Sequence, residues 1–283
     1  MFPSRLLVLV IAGVIGAVPS SGAQERAYFV AYDHYLEEPG NVEVAVANTS
    51  GFPDGDRPSY SAPWIEIEYG VTGWWTTELY MEGAAFASDG GGFTGWRWEQ
   101  RFRPLKGEHR INPVLYVEYE RISEASRIQK EIIGSGSLPS EPFDELRRER
   151  AHELEGKLIL SSAVRGWNVS ENLIFEKNLS KDEGVELGYA VGISRPLGTL
   201  ASGSSCRLCR ENFVAGVEAY GGLGSTEERG VRDTRHFLAP VLAWRLTENT
   251  TVKVSTGFGL TDTSDRYLVR VGWACEFPTG GRR

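Results

Sequence analysis

Glutamates and arginines recur at every second position in several short segments of this chain, a spacing that places them on one face of a β-strand. Carboxylates in pairs can act as general acids and bases, or they can line a polar passage and select ions. Because alternation along a strand is more often a solvated polar face, we interpret the set as a lumen charge network. It comprises Glu66, Glu68, Glu78, Glu82, Arg97, Glu99, Arg101, Glu118 and Glu120.

The two arginines Arg97 and Arg101 lie on a segment between two glutamate-bearing segments. Antiparallel neighbours bring side chains of the same face within about 5 Å of each other. Burying such charges without partners is strongly unfavourable. We therefore predict carboxylate–guanidinium contacts from both arginines to the segments on either side.

Cys206 and Cys209 form a single CxxC pair, and Cys275 is the third cysteine. A haem attachment motif needs histidine directly after the second cysteine, and Arg210 stands there. A zinc site would need two further ligands close by. The spacing favours a local disulfide between Cys206 and Cys209 in an oxidising compartment, with a metal or redox role as the alternative.

Catalytic constellations are scarce. The four histidines, His34, His109, His152 and His236, lie in different segments, and no two have metal-ligand spacing. The sequence therefore predicts no catalytic residue, no metal site and no cofactor.

The elements that carry these residues are short alternating segments separated by Gly, Pro, Asn and Asp clusters, as in an all-β meander. We count twelve strands, with ten or fourteen as alternatives. An even count suits an antiparallel up-and-down transmembrane β-barrel with both ends on the periplasmic side. Inward positions of the second half are mostly Gly, Ala and Ser, which leaves room that the long Glu and Arg side chains opposite are expected to fill.

The last segment, Arg266–Phe277, alternates an apolar face from Tyr267 to Phe277 with a face of charged and small residues. A strand between lipid and a polar lumen has this pattern. Arg270, Gly272, Cys275 and Phe277 also resemble the C-terminal insertion signal of bacterial outer-membrane β-barrels, which runs polar, x, Gly, x, x, apolar, x, aromatic. This resemblance implies an outer-membrane location and assembly by the barrel-assembly machinery.

The two ends of the chain complete the predicted domain organisation. Arg5, the apolar run Leu6–Val18 and the small residues Ser21–Ala23 indicate a signal peptide, residues 1–23, cleaved before Gln24. We expect a periplasmic N-terminal segment at 24–41, the barrel at 42–277 and a C-terminal tail at 278–283.

One long connection, Ser123–His152, is charged and ends in a helix-compatible run from Phe143 to Leu154. We interpret it as an extracellular loop containing a helix. Either the loop is solvated, or it folds into the mouth of the barrel as a lid or plug.

The segments Ile65–Gly83 and Val114–Glu120 resemble those of uncharacterised outer-membrane barrels grouped with transporters of phenol-degradation type. The resemblance implies passive passage or an assembly role, and it transfers no catalytic residue. Our first hypothesis is an outer-membrane channel or transporter for a small solute through a charged lumen. The alternatives are a closed structural or interaction barrel of the cell envelope and, third, an outer-membrane enzyme. A net charge of -8 and a pI near 5.2 argue against nucleic acid as a partner, whereas membrane lipid is an expected one.

Overall fold

Strands dominate the computed structural model, which describes residues 27–55, 58–87, 89–127, 142–198 and 207–278. Among these residues there are twelve β-strands. Their bounds are β1 Asn41–Phe52, β2 Tyr60–Thr72, β3 Trp75–Phe86, β4 Gly90–Phe102, β5 Asn112–Ser123, β6 Arg150–Val164, β7 Trp167–Asn178, β8 Glu186–Pro196, β9 Phe213–Ser225, β10 His236–Thr247, β11 Thr250–Gly259 and β12 Tyr267–Pro278.

The twelve strands form one closed antiparallel barrel in which each strand pairs with its neighbours in sequence. β1 closes the ring on β12, in a register that places Val42 opposite Phe277 and Phe52 opposite Tyr267. Closure leaves no strand edge unpaired, which a β-structure in lipid requires. The predicted all-β up-and-down barrel and its count of twelve strands are confirmed.

Alternation along the strands separates an apolar exterior from a polar interior. On β2, Ile65, Ile67 and Tyr69 are exposed while Glu66 and Glu68 are buried. Exposed aliphatic side chains continue around the barrel, and exposed aromatic ones, among them Trp74, Trp167, Phe93 and Phe258, lie near both ends. An apolar outer band between aromatic girdles is the surface of a barrel in contact with lipid.

The two ends of the barrel differ in their connections. The terminal end, where β1 begins and β12 ends, has the tight turns at residues 73–74, 165–166 and 248–249. It also carries the longer connections 103–111 and 197–212. The opposite end, the loop end, carries the connection between β5 and β6. Among the described residues, no helix has the length and apolar character needed to cross a bilayer.

The described parts of the β5–β6 connection fold onto the loop end. They contain two single-turn helices, α1 Glu124–Arg127 and α2 Phe143–Leu146. Ala125, Phe143 and Leu146 are buried against Ala84 of β3. The expected helix from Phe143 to Leu154 is too long, because residues 150–154 pair with β5 as the start of β6. Pairing with a neighbouring strand overrides a local preference for helix.

Residues 27–38, which we call the N-terminal segment, lie inside the barrel. Their backbone and side chains contact inward-facing residues of β4, β6, β7 and β9, which lie on different sides of the ring. This corrects the expectation of a segment outside the barrel. The physical reason is the void that small inward residues leave along β8–β12, which Tyr28 and Phe29 fill instead of the expected Glu and Arg side chains.

Candidate functional site in the barrel lumen

Arg101 on β4 is the centre of the first lumenal charge cluster. Its guanidinium pairs with Glu68 of β2, Glu78 of β3 and, at 3.1 Å, Glu99 of its own strand. All four side chains are nearly inaccessible to solvent. One cation shared among three carboxylates of three strands ties this part of the wall together. Charges this deeply buried are retained only when they are paired.

Arg97, one inward position beyond Glu99, forms the second cluster. Its Nε lies 2.6 Å from Glu82 of β3, and its Nη1 lies 3.2 Å from Glu118 of β5. The guanidinium also stacks over the ring of Tyr80, 4.3 Å from the ring centre. Glu82 accepts a hydrogen bond from Ser126 of α1, so this cluster also fixes the folded loop. Glu66 and Glu120 are buried on the same inward face.

A cavity of about 140 Å³ lies in the lumen beside this cluster. Its walls include Arg97, Glu118 and Glu120 on one side and Tyr28 and Tyr32 of the N-terminal segment on another. The lumen is therefore divided between space that water or a small solute can occupy and space that the N-terminal segment fills.

Lys157 of β6 lies where the wall meets the N-terminal segment. Its Nζ is 2.8 Å from Glu155 and lies 4.0 Å from the ring centre of Tyr116 and 4.6 Å from that of Tyr32. A buried ammonium group held by a carboxylate and two aromatic faces is stabilised by both charge pairing and cation–π attraction. One of the two aromatic faces around this ammonium group therefore belongs to Tyr32 of the N-terminal segment, and the other belongs to Tyr116 of the barrel wall.

Carboxylates outnumber cations at the inward positions. Groups such as Glu118, Glu120 and Glu155 bring carboxylate oxygens within 4.8 Å of one another. Oxygen ligands of this kind suit hard cations such as Ca²⁺. Arg97 and Lys157, however, already provide counter-charge to Glu118 and Glu155.

Glu218 of β9 anchors the N-terminal segment through its backbone. Its carboxylate accepts hydrogen bonds from the N–H groups of Phe29 at 3.1 Å, Val30 at 2.7 Å and Ala31 at 2.8 Å. Asn172 of β7 accepts from the N–H of Tyr32 and donates to its carbonyl, at 2.7 and 2.9 Å. These bonds satisfy backbone groups that would otherwise be buried without partners.

A row of Ser161, His34 and Glu108 lies at the terminal end. Nδ1 of His34 is 2.8 Å from Ser161 Oγ of β6, and Nε2 is 2.9 Å from Glu108 in the β4–β5 connection. These are the residue types of nucleophilic catalysis. Ser161 is 1% exposed, so its hydroxyl is enclosed in the described state. The row positions the N-terminal segment.

Burial sets the protonation of this row and of its neighbour Glu37. Burial lowers the pKa of His34 below its ordinary value of 6.5, although Asp33 and Glu108 oppose the shift. Burial alone would raise the pKa of Glu108, but His34 and Arg103 lower it overall. Burial raises the pKa of Glu37. Burial therefore favours the neutral form of His34 in the docked segment.

A largely aromatic cluster fills the β8–β12 side of the lumen towards the loop end. Tyr60 donates a hydrogen bond of 2.7 Å to Asp265, which also pairs with Arg235. Tyr220 stacks on Phe237 and accepts a 2.7 Å hydrogen bond from Arg270. Together with the N-terminal segment, this cluster occupies most of the β8–β12 side of the lumen.

The four residues of the insertion-signal resemblance all lie on β12. Arg270 and Gly272 face inward and are buried, Cys275 is a half-buried free thiol, and Phe277 is exposed at the terminal end. Cys209 is disulfide-bonded. Cys206 lies outside the described residues, so the predicted pairing of Cys206 with Cys209 stays a prediction.

Sequence reasoning missed Lys157, Glu218 and Asn172, and with them the N-terminal segment as part of the site. The available signal was the row of small inward residues on β8–β12, because a closed barrel needs something to fill the space beside them.

The fold is that of outer-membrane porins. The structure of KdgM porin superposes with a TM-score of 0.52 at 9% identity, covering 82% of this chain and 99% of that one. NanC porin superposes with a TM-score of 0.50 at 11% identity, covering 83% and 98%. An outer-membrane channel from Pseudomonas putida F1 gives 0.49 at 9% identity, covering 86% and 97%. No protein-family model and no curated protein matches the sequence.

Proposed function

We propose that the protein is an outer-membrane channel for small solutes that is closed by its own N-terminal segment in the state described here. One observation carries the proposal. The obstruction on the terminal-end side of the lumen is a separate stretch of chain, held by hydrogen bonds and packing, beside a charged cavity that the barrel wall leaves open.

The charges on the wall indicate which solutes would pass. Inward glutamates outnumber inward arginines and lysines, and the N-terminal segment contributes further carboxylates and no lysine or arginine. Rings of carboxylates favour cations in a pore. We therefore propose that the open channel prefers cations and small cationic solutes over anions.

The membrane location belongs to the same proposal. Exposed Ile65, Ile67 and Trp98 belong to a band suited to lipid, and the inward-facing Arg270 and outward-facing Phe277 fit the insertion signal. We propose export with cleavage after Ala23, folding by the barrel-assembly machinery, and an orientation with the terminal end in the periplasm. The short turns of that end support this orientation.

A closed structural barrel of the envelope is the second candidate, and the packing of the lumen favours it. The cluster that joins Tyr28 and Val30 to Tyr220, Phe237 and Leu268 resembles a protein core rather than a wet pore. Planar-bilayer recording separates the two candidates. A channel should give rare or partial openings with a cation-selective reversal potential under a salt gradient. Silence from the wild-type protein and from every variant that releases the N-terminal segment would favour the structural barrel.

A further inference from the structure

We propose that inward-facing residues of β4, β5, β7, β8, β9 and β12 form a binding groove for a short peptide, and that residues 28–32 are its exchangeable occupant. The proposal rests on the proposed channel function and deepens it, because release of the occupant would remove the obstruction on the terminal-end side of the lumen. The groove itself follows from contacts that do not depend on conduction.

The groove recognises the backbone of its occupant. Glu218 receives three consecutive N–H groups, from Phe29 to Ala31, and Asn172 binds both backbone groups of Tyr32. Three consecutive N–H groups that converge on one carboxylate require a curled backbone, and the chain bends at Phe29 and Val30. Any segment that adopts this bend offers the same N–H groups, so the backbone contacts supply affinity without selecting a sequence.

Two pockets select aromatic side chains. Tyr28 lies on Gly192 and its hydroxyl donates to Asn168 Oδ1 at 2.9 Å. Tyr32 packs edge-on against Tyr116, with ring centres 5.2 Å apart, and its hydroxyl donates to Glu99 at 3.0 Å. The ligand class is therefore a short peptide with aromatic residues four positions apart.

Phe29 makes a third contact, with β12. The ring of Phe29 lies against Gly272, where an added Cβ would be 3.2 Å from the ring, and Lys253 approaches its face at 5.8 Å. Gly192 and Gly272 lie on strands on opposite sides of the β9–β11 wall. The occupant thus spans the wall, and the inward glycines set the width of the groove.

Charges of both signs act on the segment. It carries Asp33 and Glu37 into a lumen already rich in carboxylates, and it has no lysine or arginine of its own. On the wall, Arg101 donates to the carbonyl of Tyr35, and Lys157 lies over the ring of Tyr32. These contacts, together with hydrogen bonds and aromatic packing, hold the segment in place.

The connection to the barrel permits release. Gly40, between the segment and β1, has a φ of 85°, and its N–H donates to the carbonyl of Gly70 at 2.7 Å. Glycine adopts this left-handed conformation without steric cost. We place the joint of the proposed release here, so that the segment moves while β1 stays paired in the barrel.

The test uses the full chain with a thiol in the docked segment. Ala31, which is fully buried, is replaced by Cys in a Cys275→Ser background. A second variant adds Tyr28→Ala and Tyr32→Ala, which weakens the occupant and leaves the groove intact. Labelling by a water-soluble maleimide should be slow in the first protein and faster by about tenfold or more in the second.

Rebinding in trans completes the test. A synthetic fluorescent peptide of residues 27–38 should bind the Tyr28→Ala, Tyr32→Ala protein and restore protection of the thiol. The same peptide with both tyrosines replaced by alanine should bind at least about tenfold more weakly. Adding Glu218→Gln to the protein should weaken binding of the native peptide.

Two outcomes would overturn the groove. One is a thiol that stays protected in a correctly folded variant, shown by heat-modifiable migration on a gel. The other is equal binding of the two peptides. If the double variant fails to fold, Tyr28→Ala alone provides the same comparison. If the peptide exchanges but no variant conducts ions, the binding groove is supported and the proposed channel function is contradicted.

Discussion

The ring of Tyr28 packs directly on Gly192, so closely that a Cβ added at this glycine would lie 2.7 Å from two ring carbons. Tyr28 belongs to the N-terminal segment and Gly192 to β8, more than 160 residues later in the chain. The N-terminal segment therefore fits in the lumen at this point only because residue 192 has no side chain. It also makes the docked state sensitive to a single methyl group.

Gly192→Ala should loosen the N-terminal segment and leave the barrel assembled. The methyl group must displace the Tyr28 ring, and overpacking of this kind costs about 1–3 kcal/mol. Chymotrypsin cleavage after the tyrosines of the segment, followed on a gel in detergent, should be faster in the variant. Gly156→Ala is the matched control, because its added Cβ would meet its nearest atom only at 3.8 Å. Equal cleavage of both variants would contradict the contact.

Arg101→Ala should destabilise the barrel strongly. The substitution leaves Glu68, Glu78 and Glu99 facing one another in a buried site. Breaking a buried ion pair by removing one partner typically costs about 3–5 kcal/mol. The temperature at which heat-modifiable migration is lost should fall clearly. Arg266→Ala removes an exposed arginine that approaches Asp54 only at 3.7 Å, and should leave that temperature unchanged. A variant as stable as the control would show that water screens the cluster.

Docking of the N-terminal segment should weaken on acidification because of His34. Burial holds its pKa in the docked state below the ordinary 6.5, so the released state binds more protons. The contribution of neutral His34 to the free energy of docking is fully present above pH 6.5 and is lost as the pH falls towards the docked-state pKa. Asp33 and Glu108 face the ring and oppose the shift, whereas Arg103 adds to it.

Glu37 should act in the opposite direction. Burial raises its pKa in the docked state above the ordinary value of 4.5, so the docked state binds more protons than the released state. Acidification therefore strengthens docking through this group. A variant is therefore needed to separate the effect of His34 on the pH dependence of docking from that of Glu37. Chymotrypsin accessibility between pH 7.5 and 5.5 should rise in the wild type and stay flatter in His34→Gln. The same slope in both proteins would assign the pH dependence to other groups.

The barrel was predictable because alternation is a local property. Ile65–Glu68 shows both faces within four residues, and twelve such segments determine the strand count and the closure. The helix expected from Phe143 to Leu154 failed for a non-local reason, since the pairing of Leu154 with Tyr119 decides the outcome there. Local composition does not reveal a partner strand contributed by β5.

The occupied lumen was not predictable in the same way. Residues 27–38 show no period, and Glu218 and Asn172 bind backbone groups that every sequence offers. The sequence did contain the wall residues against which the segment packs, the inward glycines Gly192 and Gly272. These were identified as leaving room, but nothing in their spacing indicates which part of the chain fills it.

Phe277→Ala should lower the assembled fraction of the protein and leave its export intact. Phe277 is 49% exposed on the outer face of β12 at the terminal end, opposite Val42 of β1 where the barrel closes. An aromatic side chain at this place matches the insertion signal, and Gly272 lies inward on the same strand as that signal requires. The ratio of heat-modifiable to unfolded protein in outer-membrane fractions measures assembly.

Phe258→Ala, of similar exposure at the loop end of β11, removes an equal apolar surface away from the signal and should assemble normally. Equal loss in both variants would show that lipid contact alone, rather than recognition of the C-terminal strand, accounts for the role of Phe277.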